Sequence, residues 1–237
     1  MKQMALAVLS FLLPGSVCLA QMRGGPPPDP CAALAKFLST NATFTASAKA
    51  VRQGKRPRDT QTVVMAFAVS GGKMRNEMDM TKMSGISAGD AEGMKRMGMD
   101  KMVVLSLPEK QGAYLVFPNL KSYCDMPRKG KTEGTVAKTE LGSEPVEKHA
   151  CTKSKLTFTD KDGGTAEAIV WEATDLKNFP IQYQTVDEGE TTTTTFSDIK
   201  MDKPDASLFE LPENYKKYAN MQGVMMGNMQ RLMQQPP

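Results

Sequence analysis

The chain has 237 residues, with 30 Lys and Arg against 26 Asp and Glu, a net charge of +4. Aromatic residues make up 6%, so neither the strong basic field nor the stacking platforms of a nucleic-acid surface are present. One histidine and four cysteines leave little material for a zinc site.

The first stretch reads "MKQMALAVLSFLLPGSVCLAQM". A lysine, an apolar run from Ala5 to Leu13, a Pro14-Gly15 break and small residues before Ala20 predict a signal peptide over 1–20, cut after Ala20. Cys18 admits an alternative, lipidation, although Val17 stands where a small residue is wanted. No other apolar run approaches bilayer length, so the expected mature chain has no transmembrane helix. Export to the periplasm or another part of the cell envelope permits disulfides. Cys31, Cys124 and Cys151 then remain. Three cannot all pair, and a Cys124–Cys151 bridge is favoured because both flank strand-like segments; three buried thiols are the alternative.

A leader, 21–29, precedes a single domain over 30–237. Asp29 can cap a short helix with Pro30 at its first position, and Cys31, Leu34 and Leu38 share one face. From about Thr43 the period becomes two. In "QTVVMAFAV", Val63, Met65, Phe67 and Val69 take one face; after the turn "SGG", Ser70–Gly72, the next strand answers as a hairpin. There Lys73, Arg75, Glu77 and Asp79 alternate with Met74, Asn76, Met78 and Met80, one charged face and one mostly thioether. Ser84–Asp100 carries four glycines and reads as a weak helix or loop. Strands follow in "KMVVLSL", "AYLVFP", "LKSYCDM", "ACTKSKLTFT", "GTAEAIVWEA", "FPIQYQTV" and "TTTTTFSDIKM", with "KGKTEGT", "DKDGG" and "DEGE" as turns. Which face of "AYLVFP" points inward stays open. A C-terminal helix over 214–234 would align Tyr215, Tyr218, Met221, Met225, Met229 and Leu232 as an apolar stripe. The fold expected is α+β: one antiparallel sheet of about 10–11 strands with N-terminal, mid-chain and C-terminal helices.

The order of these elements, with "GGKMRNEMDM", "VWEATDLKNFPI" and "DASLFELPENYKKY", resembles an exported bacterial family related to the lipoprotein carriers and receptors of the Lol system. The resemblance covers Cys31 to Tyr218. It implies a strongly curved sheet forming an open half-barrel, with helices as a lid over its concave apolar face. It carries no catalytic residue across. The candidates for the carriers' arginine between sheet and lid are Arg52 and Arg75.

His149 and Cys151 share a strand face, but no nucleophile elbow accompanies any serine, and the acidic pairs fall in turns, so an enzyme is not expected. No cofactor is expected. The thioether cluster Met74, Met78, Met80, Met83, Met94, Met97 and Met99 would suit Cu(I). Methionine is equally an adaptable filler of apolar cavities, and the bias extends to elements without metal spacing, so no metal site is assigned. The function expected is binding or carriage of a hydrophobic ligand, a lipid or lipoprotein acyl chain, on the concave face. Met65, Phe67, Met74, Met78, Met80, Leu115 and Phe117 would line it. The alternatives are a structural domain with a solid core and a Met-based Cu(I) protein. A transient membrane contact is compatible with the first reading; a nucleic-acid partner is not.

Overall fold

The computed structural model describes residues 43–54, 56, 59–110, 112–126, 134–161, 163–187 and 189–234. The expected signal peptide, leader, N-terminal helix and Cys31 lie outside them. Twelve strands belong to one mixed sheet, one more than the upper expectation. They are β1 Phe44–Gln53, β2 Gln61–Ser70, β3 Lys73–Asp79, β4 Lys101–Leu107, β5 Gly112–Phe117, β6 Ser122–Met126, β7 Gly134–Val146, β8 His149–Asp160, β9 Thr165–Ala173, β10 Phe179–Asp187, β11 Glu190–Lys200 and β12 Lys216–Tyr218. Among the described residues the two α-helices are α1, Ala88–Arg96, and α2, Met221–Gln234. The neighbour contacts divide the chain into two compact units.

One unit comprises residues 43–48, 63–126 and 198–234. Its strands run β12-β6-β5-β4-β3-β2, with the first half of β1 next. The β2–β3 hairpin turns on Gly71 and Gly72, whose φ values of 57° and 78° are the left-handed pair that a two-residue type I′ turn requires. That turn places Met65 opposite Met78, Phe67 opposite Asn76 and Val69 opposite Met74. Met78 faces Met102 and Asn76 faces Val104 on β4. Val104 faces Leu115, which faces Cys124. The other face is less wet than its charges suggest. Ala68, Val103, Leu105, Leu107, Tyr114 and Val116 are buried there with Phe209, beside Leu208, Leu211 and Tyr215. Thus β4 and β5 are covered on both sides, which is why "AYLVFP" shows no one-sided pattern.

The expected helix over 214–234 is shorter. Lys216–Tyr218 instead pairs in parallel with Ser122–Cys124, and α2 starts at Met221. Its buried residues are Val224 and Asn228, not the methionine stripe.

The other unit comprises residues 49–62 and 134–197. After the second half of β1 its order is β11-β10-β9-β8-β7. Leu156, Phe158, Ala168, Val170, Ile181 and Phe196 are buried. The rings of Phe196 and Phe179 meet edge-on at 5.7 Å, and Tyr183 lies 6.1 Å from Phe196. The threonine run is an ordered strand. Gln184 donates to Thr193 and Thr195 donates to Gln182, both at 3.0 Å.

The ring of Phe196 is fully buried, so Phe196→Ala should lower the unfolding free energy by about 3–5 kcal/mol. Val64→Ala, at an exposed position, should change it by less than about 0.5 kcal/mol. Denaturant titration of both variants checks the contrast.

Candidate functional site

The alternation of β2 and β3, carried across by register, collects an apolar face in the methionine unit. Met65, Phe67, Met78, Leu115 and Phe117 lie on it, and all five are buried. Met74 is on the same face but half-buried. Met80 is buried, yet it belongs to the 3-10 turn Met80–Lys82 that ends β3, where its N–H donates to the Asp100 carbonyl at 2.7 Å. The face also holds Met102, Val104 and Cys124, none of which the sequence reading placed among the lining residues. Met65, Met78 and Met102 stand side by side on three adjacent strands.

Two buried polar groups interrupt this surface. Asn76 donates through Nδ2 to the Met65 sulfur at 3.4 Å, while its Oδ1 is buried with no hydrogen-bond partner among the described residues. Ser122, paired with Phe117 and 3% exposed, has an Oγ in the same condition. Each costs about 1–3 kcal/mol if nothing satisfies it. The signal for both was the strand alternation: Asn76 occupies a thioether position, and Ser122 shares its parity with Cys124.

The two helices bury few residues. Ser87 caps α1, its Oγ accepting from the Asp90 N–H at 3.1 Å, but no α1 residue is buried. Asn228 of α2 donates to the Met97 carbonyl at 2.7 Å and accepts from Arg231 at 3.0 Å. A Cβ at Gly227 would overlap the ring and hydroxyl of Tyr218, so glycine is what lets α2 approach β12. Arg75 pairs with Glu77 at 2.8 Å, and Arg52 pairs with Glu190. Neither arginine ties the sheet to a helix in these contacts.

The second unit holds a cleft of about 460 Å³ lined by Lys49, Glu144, Pro145, Val146, Glu147, Gln182, Thr195 and Ser197. Its Glu144 accepts from the Trp171 indole N–H and from Lys153 at 3.2 and 3.3 Å. The Lys153 ammonium lies 4.9 Å from the Trp171 ring centroid. The indole hydrogen bond first, then Lys153, hold the Glu144 carboxyl below its usual range. This group was not foreseen, because its members come from three strands.

The His149 side chain is 11% exposed and its Nδ1 lies 2.7 Å from Asp175. The Cys151 thiol donates to the His149 backbone carbonyl at 3.5 Å, not to the imidazole, and burial raises its pKa. The pair is therefore not arranged as a nucleophile and base. The expected Cys124–Cys151 disulfide is absent; both are free, buried thiols. Cys124 faces Leu115 and Tyr218, and Cys151 faces Glu144 and Ala173, so neither meets a cysteine on its neighbouring strands. Burial, then Asp125, pushes the Cys124 thiol up to about 11. Among the described residues, no group of three or more His, Cys, Asp or Glu could hold a metal ion.

No family model matches the chain, and no curated protein matches it. Among solved structures it is similar to a LolA superfamily protein from Nitrosomonas europaea, at 10% identity and a TM-score of 0.38, over 74% of this chain and 93% of that one. It is also similar to the Mycobacterium tuberculosis lipoprotein LppX, at 11% identity and a TM-score of 0.36, over 73% and 97%. A third is a putative outer membrane lipoprotein-sorting protein domain from Vibrio parahaemolyticus, at 11% identity and a TM-score of 0.35, over 76% and 94%.

Three outcomes are expected. In a chain carrying Cys18→Ser and Cys31→Ser, a thiol reagent at about pH 8 should label neither remaining cysteine in the native state and both in guanidinium. Because the folded chain holds the Cys124 proton more tightly, stability should fall only as pH rises above the ordinary thiol value, where the unfolded chain ionises first. Trp171 is the single tryptophan, so its emission follows Glu144. Its acid transition should fall below the ordinary glutamate value of about 4.3 and vanish in Glu144→Gln.

Proposed function

We propose that this chain is a non-catalytic, exported cell-envelope protein that binds or carries a hydrophobic ligand, a lipid or lipoprotein acyl chain, on the methionine face. The observation that carries this reading is one apolar surface interrupted by two buried polar atoms, Asn76 Oδ1 and Ser122 Oγ, with no hydrogen-bond partner among the described residues. A solid core has no use for such groups, whereas a ligand site is mostly apolar with a few polar anchors. Asn76 and Ser122 stand three strand spacings apart and two residues out of register, about 16 Å. An elongated apolar molecule with hydrogen-bonding groups suits that separation.

Met65, Phe67, Met74, Met78, Leu115 and Phe117 would line the site, with Met80 closing the end of β3. Methionine supports the reading through its adaptability: an unbranched thioether repacks around different chains at little cost. The helices support it too. A cover with no buried residue in α1, and two in α2, opens for less than a packed core element would. A curved half-barrel with these helices as lid is the form we assign to the sheet, and the N-terminal pattern supports export.

Native mass spectrometry of the chain secreted by a bacterial host and purified without detergent tests the proposal. The expected result is added mass that releases as lipid or fatty acid, and loss of that mass in Met78→Lys. Ser122→Ala should keep the fold and weaken fatty-acid binding by about three- to tenfold. A bare mass, no uptake of fatty acid and a Ser122→Ala variant more stable than the parent would sink the proposal in favour of a solid core. Added copper, lost to a Cu(I) chelator, would reassign the row Met65, Met78 and Met102.

A further inference from the structure

The methionine stripe of α2 leaves its largest side chains outside the fold. Met225, Met226, Met229, Leu232 and Met233 are 41, 58, 60, 39 and 76% exposed. At 100° per residue they fall within an arc of about 120°, opposite to neither end of the helix but continuous along it. Val224 and Asn228 anchor the other side of α2. Together the five side chains present roughly 500 Å² of apolar surface, a functional patch by size, yet short of the ~800 Å² per partner of a stable protein interface.

Charge selects the occupant. The last acidic side chain in the sequence is Glu213; residues 214–237 contain Lys216, Lys217 and Arg231 and no Asp or Glu. Arg231 lies beside the anchored edge of the stripe, through its hydrogen bond to Asn228. The Asn228–Met97 hydrogen bond brings the C-terminal end of α1 to the same edge, and with it the exposed Lys95 and Arg96. Met97 adds a further 38% exposed thioether. A soft apolar strip bordered by three cations and free of carboxylates within α2 matches the headgroup boundary of an anionic phospholipid bilayer: the thioethers enter the acyl region and the cations stay among the phosphates.

We infer that α2, with the end of α1, is a membrane-docking surface for anionic bilayers. It is a surface distinct from the ligand face, and its failure would leave the ligand reading untouched.

The test uses the full secreted chain and sedimentation with two kinds of vesicle, phosphatidylcholine alone and phosphatidylcholine mixed with phosphatidylglycerol. The chain should sediment with the mixed vesicles and be released by high salt. The triple variant Met226→Gln, Met229→Gln, Met233→Gln changes only exposed positions, so its thermal unfolding should match the parent while its binding falls on the order of tenfold. Lys95→Gln with Arg96→Gln should lower binding to the mixed vesicles by several-fold and leave any binding to neutral ones unchanged. The proposal is overturned if the parent stays in solution, or if the triple variant sediments as the parent does. It is also overturned if analytical ultracentrifugation finds a dimer that the triple variant dissolves, since the stripe then belongs to a second copy.

Discussion

Strand register is the constraint on which the methionine unit depends. A strand repeats every two residues, so a shift of one would carry Lys73, Arg75 and Glu77 onto the face of Met65 and Phe67. The Gly71-Gly72 turn forbids it by fixing Ser70 opposite Lys73. Everything on the apolar face follows from that pairing. Met78 stands between Met65 and Met102, Asn76 stands between Phe67 and Val104, and the same parity runs on through Leu115 to Cys124. The ion pairs of the opposite face, such as Lys73–Glu109 at 3.3 Å, are surface contacts of small worth. They mark the orientation of β3 more than they stabilise it.

Where one face is wet, the sequence was readable. The hairpin of β2 and β3, the threonine strand and the turns before β9 and β11 all lie where alternation and turn chemistry place them. The strand β7 was missed because its residues from Thr135 to Pro145 are exposed. An outermost strand with both faces in water has no apolar period to read. Its partner β12 at the other end of the order was missed for a different reason: three residues in parallel pairing make no pattern, and the tyrosines around them imitate a helical stripe.

The site was legible in part. Alternation gave Met65, Phe67, Met74 and Met78 their common face, and spacing could not choose a face for Leu115 and Phe117 because β5 is covered on both. Cysteine pairing failed because sequence proximity to strands says nothing about which strands are neighbours; Cys124 and Cys151 each face apolar or acidic side chains. Charge pairing across strands was equally invisible, so the Glu144, Lys153 and Trp171 group emerges only from three-dimensional adjacency. The helix α2 shows the limit of periodicity alone: an apolar stripe at helical spacing was present, but the side that packs is the one with valine, glycine and asparagine.

The parallel pairing of β12 with β6 has a kinetic consequence. Ser122 must wait for Lys216, so a large loop closes before this edge is complete, and such non-local pairings form late. A chain emerging from its N-terminus presents β2 to β6, with their thioether face, well before α2 exists to lie beside them. Until the C-terminal segment arrives, the edge of β6 is unpaired and open to aggregation. The C-terminal segment is thus the piece whose arrival ends the vulnerable period, and truncation there would prolong it rather than merely remove a helix.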